Sequence, residues 1–370
     1  MEFNEYNEGE LETVGDGSRY VTSAHFGDER LSIAIIAAIL VLAVLVWSVF
    51  ALFTEESIPV WNPSGSSGSS SSSSTTTGNG GGGNEPEYPY ATKTDKTNFI
   101  ASAGGDDLDD IYLYSEYAIL IKLSDMTTLA HQGADEVIYP ASMTKVMTVL
   151  VALDRITDLS DGYVIDESVL AQMPDGAANA GLAYYVGRTF SVRDLLYGVS
   201  YVSAADSVLC LIDYLNLTVE QFVRLMNEKA AQIGLQNTTF GGPIGMDAEF
   251  NQTTCRDVAA IMAYAMENPL CREIFGGTVY ELDYLDIIYK NSTLNKNLVN
   301  NFSSTPETIV GGYTLLAAKS GLEDKAGFCL VSLIKNNESG EEFILVTANA
   351  PYANKEPIFD MIELFTELNP

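Results

Sequence analysis

Leu31 to Phe53 is apolar throughout, and Ser64 to Asn84 is almost entirely Ser, Gly and Thr. These two stretches divide the chain. Twenty-three residues at about 1.5 Å each cover about 35 Å as a helix, enough to cross a bilayer core of about 30 Å. The sequence therefore predicts one transmembrane helix at 31–53. Arg30 flanks its near side and Glu55 and Glu56 its far side, which favours the N-terminus inside and the rest of the chain outside. A cleaved signal peptide fits less well, because the run is too long, begins late and has no clear small-residue cleavage site after it. The polar, acidic segment 1–30 reads as a disordered cytoplasmic tail. Residues 54–98 read as a Ser/Gly-rich linker with a reach of roughly 35 Å. Only 99–370 remains to fold as a globular domain.

Strands are expected at Ile111–Leu123, Thr127–His131, Leu315–Lys319, Gly327–Ile334 and Phe343–Asn349. Helices are expected at Ser142–Ile156, in a hairpin over Val192–Leu215, at Val219–Ile233, at Cys255–Asn268 behind a Thr254 cap, and at Pro357–Leu368. Strands at both ends with helices between them predict an α+β fold. The terminal strands would share one mostly antiparallel sheet flanked by helices, and the middle would form a helical subdomain. The net charge of −31 argues against nucleic-acid binding and against docking on an anionic lipid surface. The four cysteines, Cys210, Cys255, Cys271 and Cys329, show no zinc spacing, so no metal or other cofactor is expected. Cys210 and Cys329 read as small buried residues. A bridge between Cys255 and Cys271 is left open.

The chemistry gathers at Tyr139-Pro140-Ala141-Ser142-Met143-Thr144-Lys145. Residues three apart share a helix face, so Ser142 and Lys145 can point into one cleft. A serine hydroxyl needs a nearby base to become a good nucleophile, and a lysine held neutral can be that base. Burial and a second cation, Lys319, are both expected to lower the Lys145 pKa from its usual value near 10.4. With only His25 and His131 in the chain, a histidine-based triad would have to use His131, which lies in a polar, turn-like stretch.

A lone S-x-x-K is weak evidence. Ser332-Leu333-Ile334-Lys335 is a second one, in a predicted strand where residues three apart face opposite sides. Ser142 stands out because Ser203-Ala204-Ala205-Asp206 and then Lys319-Ser320-Gly321 follow it in order. S-x-x-K, S-x-N and K-[ST]-G are the boxes of penicillin-binding proteins and serine β-lactamases. In that scheme Ser142 attacks a carbonyl and Lys145 takes its proton. Ser203 relays a proton to the leaving amine, Lys319 and Ser320 meet a substrate carboxylate, and Gly321 lets the strand approach the substrate backbone.

With these boxes and the stretches Phe222–Phe240, Thr253–Pro269 and Ala326–Val331, residues 112–370 resemble the D-alanyl-D-alanine carboxypeptidases, the low-molecular-mass penicillin-binding proteins. The resemblance implies a penicillin-recognising transpeptidase fold and a Ser142 acyl-enzyme. It implies as substrate a peptidoglycan stem peptide ending in D-Ala-D-Ala, and β-lactam antibiotics as further ligands. It also implies an oxyanion hole from the backbone N–H groups of Ser142 and Leu322. The protein would sit in the bacterial cell membrane by a single span, its catalytic domain outside the cytoplasm.

Three departures stand against the family pattern. Ala205 replaces the usual asparagine, and Ser320 replaces threonine but keeps the hydroxyl. The sequence ends just after the closing helix, without the β-rich domain and tail anchor of many relatives, so the 31–53 span is expected to be the anchor. Two other readings stay open: a catalytically weak cell-wall-binding protein, which Ala205 favours, and a β-lactamase-like hydrolase. A class A β-lactamase would need a Glu-x-x-Leu-Asn motif between the second and third boxes, and none is found.

Overall fold

The computed structural model describes residues 88–246, 250–291, 293, 311–351 and 356–370. The expected tail at 1–30, the membrane span at 31–53 and the linker as far as residue 87 lie outside the described residues. Among those described, no helix is long and apolar enough to cross a membrane.

Six strands form the main sheet: β1 (Asp106–Asp107), β2 (Tyr117–Lys122), β3 (Thr127–Gln132), β8 (Tyr313–Glu323), β9 (Gly327–Asn336) and β10 (Glu342–Ala350). Their order is β1-β3-β2-β10-β9-β8. All neighbours run antiparallel except β1, which pairs parallel with β3. The first hairpin meets the C-terminal strands through β2 and β10, with Ile121 opposite Ile344 and Ile119 opposite Val346. These four share one face of the sheet, while Leu120 and Leu345 between them face the other, as period-2 strands must. Two short ribbons stand apart: β4 (Gly162–Val164) with β5 (Thr189–Ser191), and β6 (Val279–Glu281) with β7 (Ile288–Lys290).

Helices cover both faces of the sheet. On one side lie α1 (Lys145–Leu153), α2 (Glu167–Leu170), α3 (Val192–Tyr201), α4 (Ala205–Tyr214), α5 (Val219–Ile233), α6 (Cys255–Met266) and α7 (Pro269–Gly276). Every residue of α1 is buried, and so is every residue of α6. On the other side α8 (Glu356–Glu367) buries Ile358, Met361, Leu364 and Phe365 against Leu120, Leu330 and Leu345. That spacing of three and four is the apolar stripe of a helix on a sheet, with each buried side chain contributing roughly 1.5–3 kcal/mol.

The helices start where the chemistry places them. Thr218 and Ser191 each close a capping box, on α5 and α3, and Thr254 accepts from the Asp257 N–H at the start of α6. Pro269 opens α7, where the sequence pattern showed no further helix.

Four expectations are adjusted. The strand expected from Ile111 begins only at Tyr117, because the Tyr114 and Ser115 N–H groups are taken by the Asp360 carboxylate rather than by a ladder. The strand expected to end at Lys319 runs on to Glu323, through the whole third box. All four cysteines are free and buried, so Cys255 and Cys271 form no bridge. Residues 88–98, the last part of the expected linker, lie along the domain. Asn268 donates to the Tyr90 carbonyl at 2.8 Å, Lys96 to the Leu123 carbonyl at 3.0 Å, and the Phe99 side chain that follows is buried.

Candidate active site

Ser142 sits in a single 3-10 turn, Ala141–Thr144, that feeds directly into α1. A 3-10 turn has three residues per turn, so positions i and i+3 eclipse. The Ser142 hydroxyl accordingly lies 3.0 Å from Lys145 Nζ. The turn is held in an unfavourable shape: Ala141 has φ of +45°, a left-handed value that costs an L residue roughly 1–2 kcal/mol. Two glycines from distant segments clamp it. A Cβ on Gly321 would lie 2.8 Å from both Ala141 Cβ and the Ser142 nitrogen, and one on Gly245 would lie 2.0 Å from the Ala141 carbonyl oxygen. The missing side chain of Gly321 therefore makes room for the nucleophile turn.

Lys145 is 2% exposed. Its ammonium also donates to the Ile244 carbonyl at 2.5 Å, while Thr148, one turn on, donates to the Pro243 carbonyl at 2.6 Å. The loop 241–246 thus seals the back of α1. Burial lowers the Lys145 pKa to about 7, against an opposing pull from the Glu323 carboxylate. The help expected from Lys319 does not appear at Lys145. Lys319 is itself buried, and burial first, then the charge of Lys145, pushes it well below its usual value.

The second box lies between α3 and α4. Ser203 has φ of +58°, a second strained position, and its hydroxyl is 3.1 Å from Lys319 Nζ. The polar groups therefore fall into two pairs, Ser142 with Lys145 and Ser203 with Lys319. Lys319 Nζ also donates to the Ser320 carbonyl at 2.8 Å, and Ser320 Oγ lies 2.9 Å from Thr293 Oγ1. Asp206 is buried and accepts from the N–H groups of Ala180, Leu182 and Ser207, pinning loop 178–182 to the start of α4. Ala205 is buried, its N–H donating to the Ala178 carbonyl; it offers no side-chain amide to a ligand.

Lys319, Ser320, Gly321 and Leu322 all lie on β8, the edge strand of the sheet. The Ser320 N–H points away from β9, toward Thr293 Oγ1 at 3.3 Å. Backbone groups alternate along a strand, so the N–H and C=O of Leu322 face the same free edge, next to the Ser142 turn against which Gly321 packs. His131 pairs with Ile119 on β3, with three strands between it and β8.

Some of this was not visible in the sequence. The Ile244 carbonyl and Gly245 carry only the general turn signal of Gly241-Gly242-Pro243-Ile244-Gly245. Thr293 had no signal at all. Glu323 stands two residues past the box, where the β8 pattern would have placed it on the Lys319 face.

The D-alanyl-D-alanine carboxypeptidase DacF of Bacillus subtilis is 25% identical over 265 residues, covering 71% of this chain and 65% of its own length. The D-alanyl-D-alanine carboxypeptidase DacA of Escherichia coli is 28% identical over 253 residues, covering 64% of this chain and 58% of its own. The chain thus spans about two thirds or less of these relatives. The crystal structure of the Streptomyces K15 DD-transpeptidase superposes with a TM-score of 0.58 at 24% identity, over 70% of this chain and 97% of that one. A D-alanyl-D-alanine carboxypeptidase structure from Mycobacterium tuberculosis gives 0.57 at 24% identity, over 72% and 94%. Both show the same fold, that of the penicillin-binding DD-peptidases. The family model described as D-alanyl-D-alanine carboxypeptidase matches residues 107–352, well over half of the 370, and the chain belongs to that family.

Proposed function

We propose that the protein is a membrane-tethered, serine-type D-alanyl-D-alanine carboxypeptidase that removes the terminal D-Ala of peptidoglycan stem peptides. The observation that carries this reading is a buried lysine, with its pKa near 7, placed 3.0 Å from a serine hydroxyl at the end of an open strand edge. Neutral Lys145 takes the Ser142 proton as Oγ adds to the carbonyl carbon of the penultimate D-Ala. The oxyanion forms between the N–H groups of Ser142 and Leu322. Collapse breaks the peptide bond. The departing amine takes a proton through the Ser203–Lys319 pair, leaving an ester on Ser142 that water then hydrolyses. Lys319 and Ser320 receive the terminal carboxylate. A β-lactam enters the same path and remains as a penicilloyl ester.

The apolar run 31–53 and the Ser/Gly tether support placement as a single-pass protein of the bacterial cell membrane, with the catalytic domain outside the cytoplasm. The missing amide at Ala205 supports a second reading, a penicillin-recognising wall-binding protein with weak turnover. Incubating the full chain with labelled penicillin and measuring intact mass tests the chemistry: one adduct is expected, and it must vanish in Ser142→Ala. Release of D-alanine from a stem pentapeptide then separates the enzyme from the weak binder. Folded protein that takes no label at millimolar drug defeats both readings.

A further inference from the structure

The edge of β8 that presents Leu322 to a substrate is already filled two residues earlier, at Ser320. We infer that Thr293 confines cleavage to the last residue of a peptide, by standing where a longer chain would continue. This rests on the carboxypeptidase reading above.

Ser320 and Leu322 turn their backbone groups the same way, away from β9, because the hydrogen-bonding direction repeats every two residues along a strand. At Ser320 both groups are taken from within the protein. Its N–H donates to Thr293 Oγ1 at 3.3 Å, and its carbonyl accepts from Lys319 Nζ at 2.8 Å. The hydroxyls of Thr293 and Ser320 also meet, at 2.9 Å.

A peptide that lays its scissile carbonyl against the Leu322 N–H runs antiparallel to β8, with its C-terminus toward Ser320. The penultimate residue then exchanges both backbone hydrogen bonds with Leu322, and the last residue falls opposite Gly321. Any further residue would have to exchange both bonds with Ser320. Thr293 Oγ1 already stands in for the carbonyl of that further residue, and Lys319 Nζ for its N–H. A chain that ends in a carboxylate opposite Gly321 needs neither bond, and its charge meets the Lys319 ammonium. A chain that continues must displace Thr293 or leave its own N–H and C=O unpaired, and each unpaired group carries a desolvation cost.

Thr293 is held against displacement. It is buried, and its N–H donates to Asn291 Oδ1 at 3.0 Å. Asn291, also buried and placed just after β7, donates through Nδ2 to the Gly277 carbonyl at 2.9 Å and through its N–H to the Thr278 carbonyl at 2.9 Å. Gly277 follows α7, whose last residue, Gly276, packs so close to β8 that a Cβ there would clash with the Leu316 carbonyl oxygen. Thr293 is thus tied to the strand it caps at two places, by its own hydroxyl at Ser320 and by way of Asn291 and α7 at Leu316.

The test uses the full chain and three peptides: a stem pentapeptide ending in free D-Ala-D-Ala, its C-terminal amide, and the same peptide extended by one glycine. The amide and the extended peptide both lack the carboxylate opposite Gly321, and only the extended one must place a whole residue at Ser320. Their difference therefore isolates the stop from the loss of charge. Release of D-alanine, D-alaninamide and D-alanyl-glycine is followed by mass for wild type, Thr293→Ala and Thr293→Ser. In wild type the kcat/KM for the amide should exceed that for the extended peptide about tenfold, as befits a lost hydrogen bond in a site that leaves its partner unpaired. Thr293→Ala should raise the extended peptide about tenfold relative to the amide, and Thr293→Ser, which keeps the hydroxyl, should hold the wild-type ratio. A merely structural loss would lower all three substrates together and leave the ratio in place. Equal rates for the amide and the extended peptide in wild type, or no relative gain for the extended peptide in Thr293→Ala, would overturn the assignment. Wild type that cleaves none of the three would overturn the carboxypeptidase reading instead. Protection of Ser142 from labelled penicillin then decides the stop: stronger protection by the amide than by the extended peptide, lost in Thr293→Ala, supports it, and equal protection ends it.

Discussion

Raising the pH from 5 to 8 is expected to accelerate penicillin acylation of Ser142, with a midpoint near 7. Lys145 must be neutral to accept the serine proton. With burial holding its pKa at about 7, the neutral fraction is one half at pH 7 but only about one in a hundred at pH 5. The rate should climb roughly tenfold per unit between pH 5 and 6.5, then level off. It should fall again on the alkaline side, below pH 10.5, as Lys319 loses the charge that meets the carboxylate; burial pushes that loss to lower pH. Glu323→Gln removes the one charge that raises Lys145, so its midpoint should move down. Stopped-flow mixing with a chromogenic β-lactam, read as second-order rate constants over this range, gives all three features. A rate that is flat from pH 5 to 10 would show that a neutral lysine is not the base, and one that inflects only near 10 would show that burial does not hold Lys145 neutral. The same pKa has a stability consequence of fixed sign. Between pH 7 and 10.5 the unfolded chain holds a proton on Lys145 that the folded chain lacks, so stability rises with pH across that window, by at most about 1.4 kcal/mol per unit. Above pH 10 the trend reverses, because the buried hydroxyls of Tyr163 and Tyr197 stay protonated in the fold and ionise in the unfolded chain.

Gly321→Ala forces a methyl onto the Ser142 turn; it should cost about 1–3 kcal/mol in chemical denaturation and lower acylation at least as much as it lowers Tm. Asp206→Asn keeps the shape but weakens three backbone N–H contacts, so loop 178–182 should become the first site of limited proteolysis, with a loss of about 2 kcal/mol. Phe99→Ala should cost about 3–5 kcal/mol, because that ring packs edge-on against Tyr264 at 5.1 Å within the core; a loss below 1 kcal/mol would return residues 88–98 to the linker. Dithiothreitol should leave Tm unchanged, since the four cysteines are free and buried.

The sequence made the order of elements legible because each carries its own period. The β10 run is short, continuously apolar from Phe343 to Val346 and buried on both faces, α5 repeats every three to four residues, and the caps Thr218 and Thr254 mark their own helix starts. Boundaries were less legible wherever a distant group intervened. Asp360, some 245 positions away, takes the N–H groups that would have extended β2. The core of the site was legible for a local reason: Ser142 and Lys145 are three positions apart, and that spacing puts them on one face in either a 3-10 or an α turn.

What the motif could not say is why Lys145 is a base at all. Its neutrality depends on burial, and that burial depends on the 241–246 loop, whose Ile244 carbonyl lies against Nζ, and on the close approach that Gly245 and Gly321 permit around Ala141. A larger residue at either glycine would push the 241–246 loop or β8 away from the turn and let water reach Nζ. The lysine would then regain charge and lose its function as a base, with Ser142 and Lys145 both still present. The boxes therefore name the reacting atoms, but the glycines that crowd Ala141 set the protonation state. That protonation state, rather than the presence of the boxes, separates an enzyme from a binder in this fold.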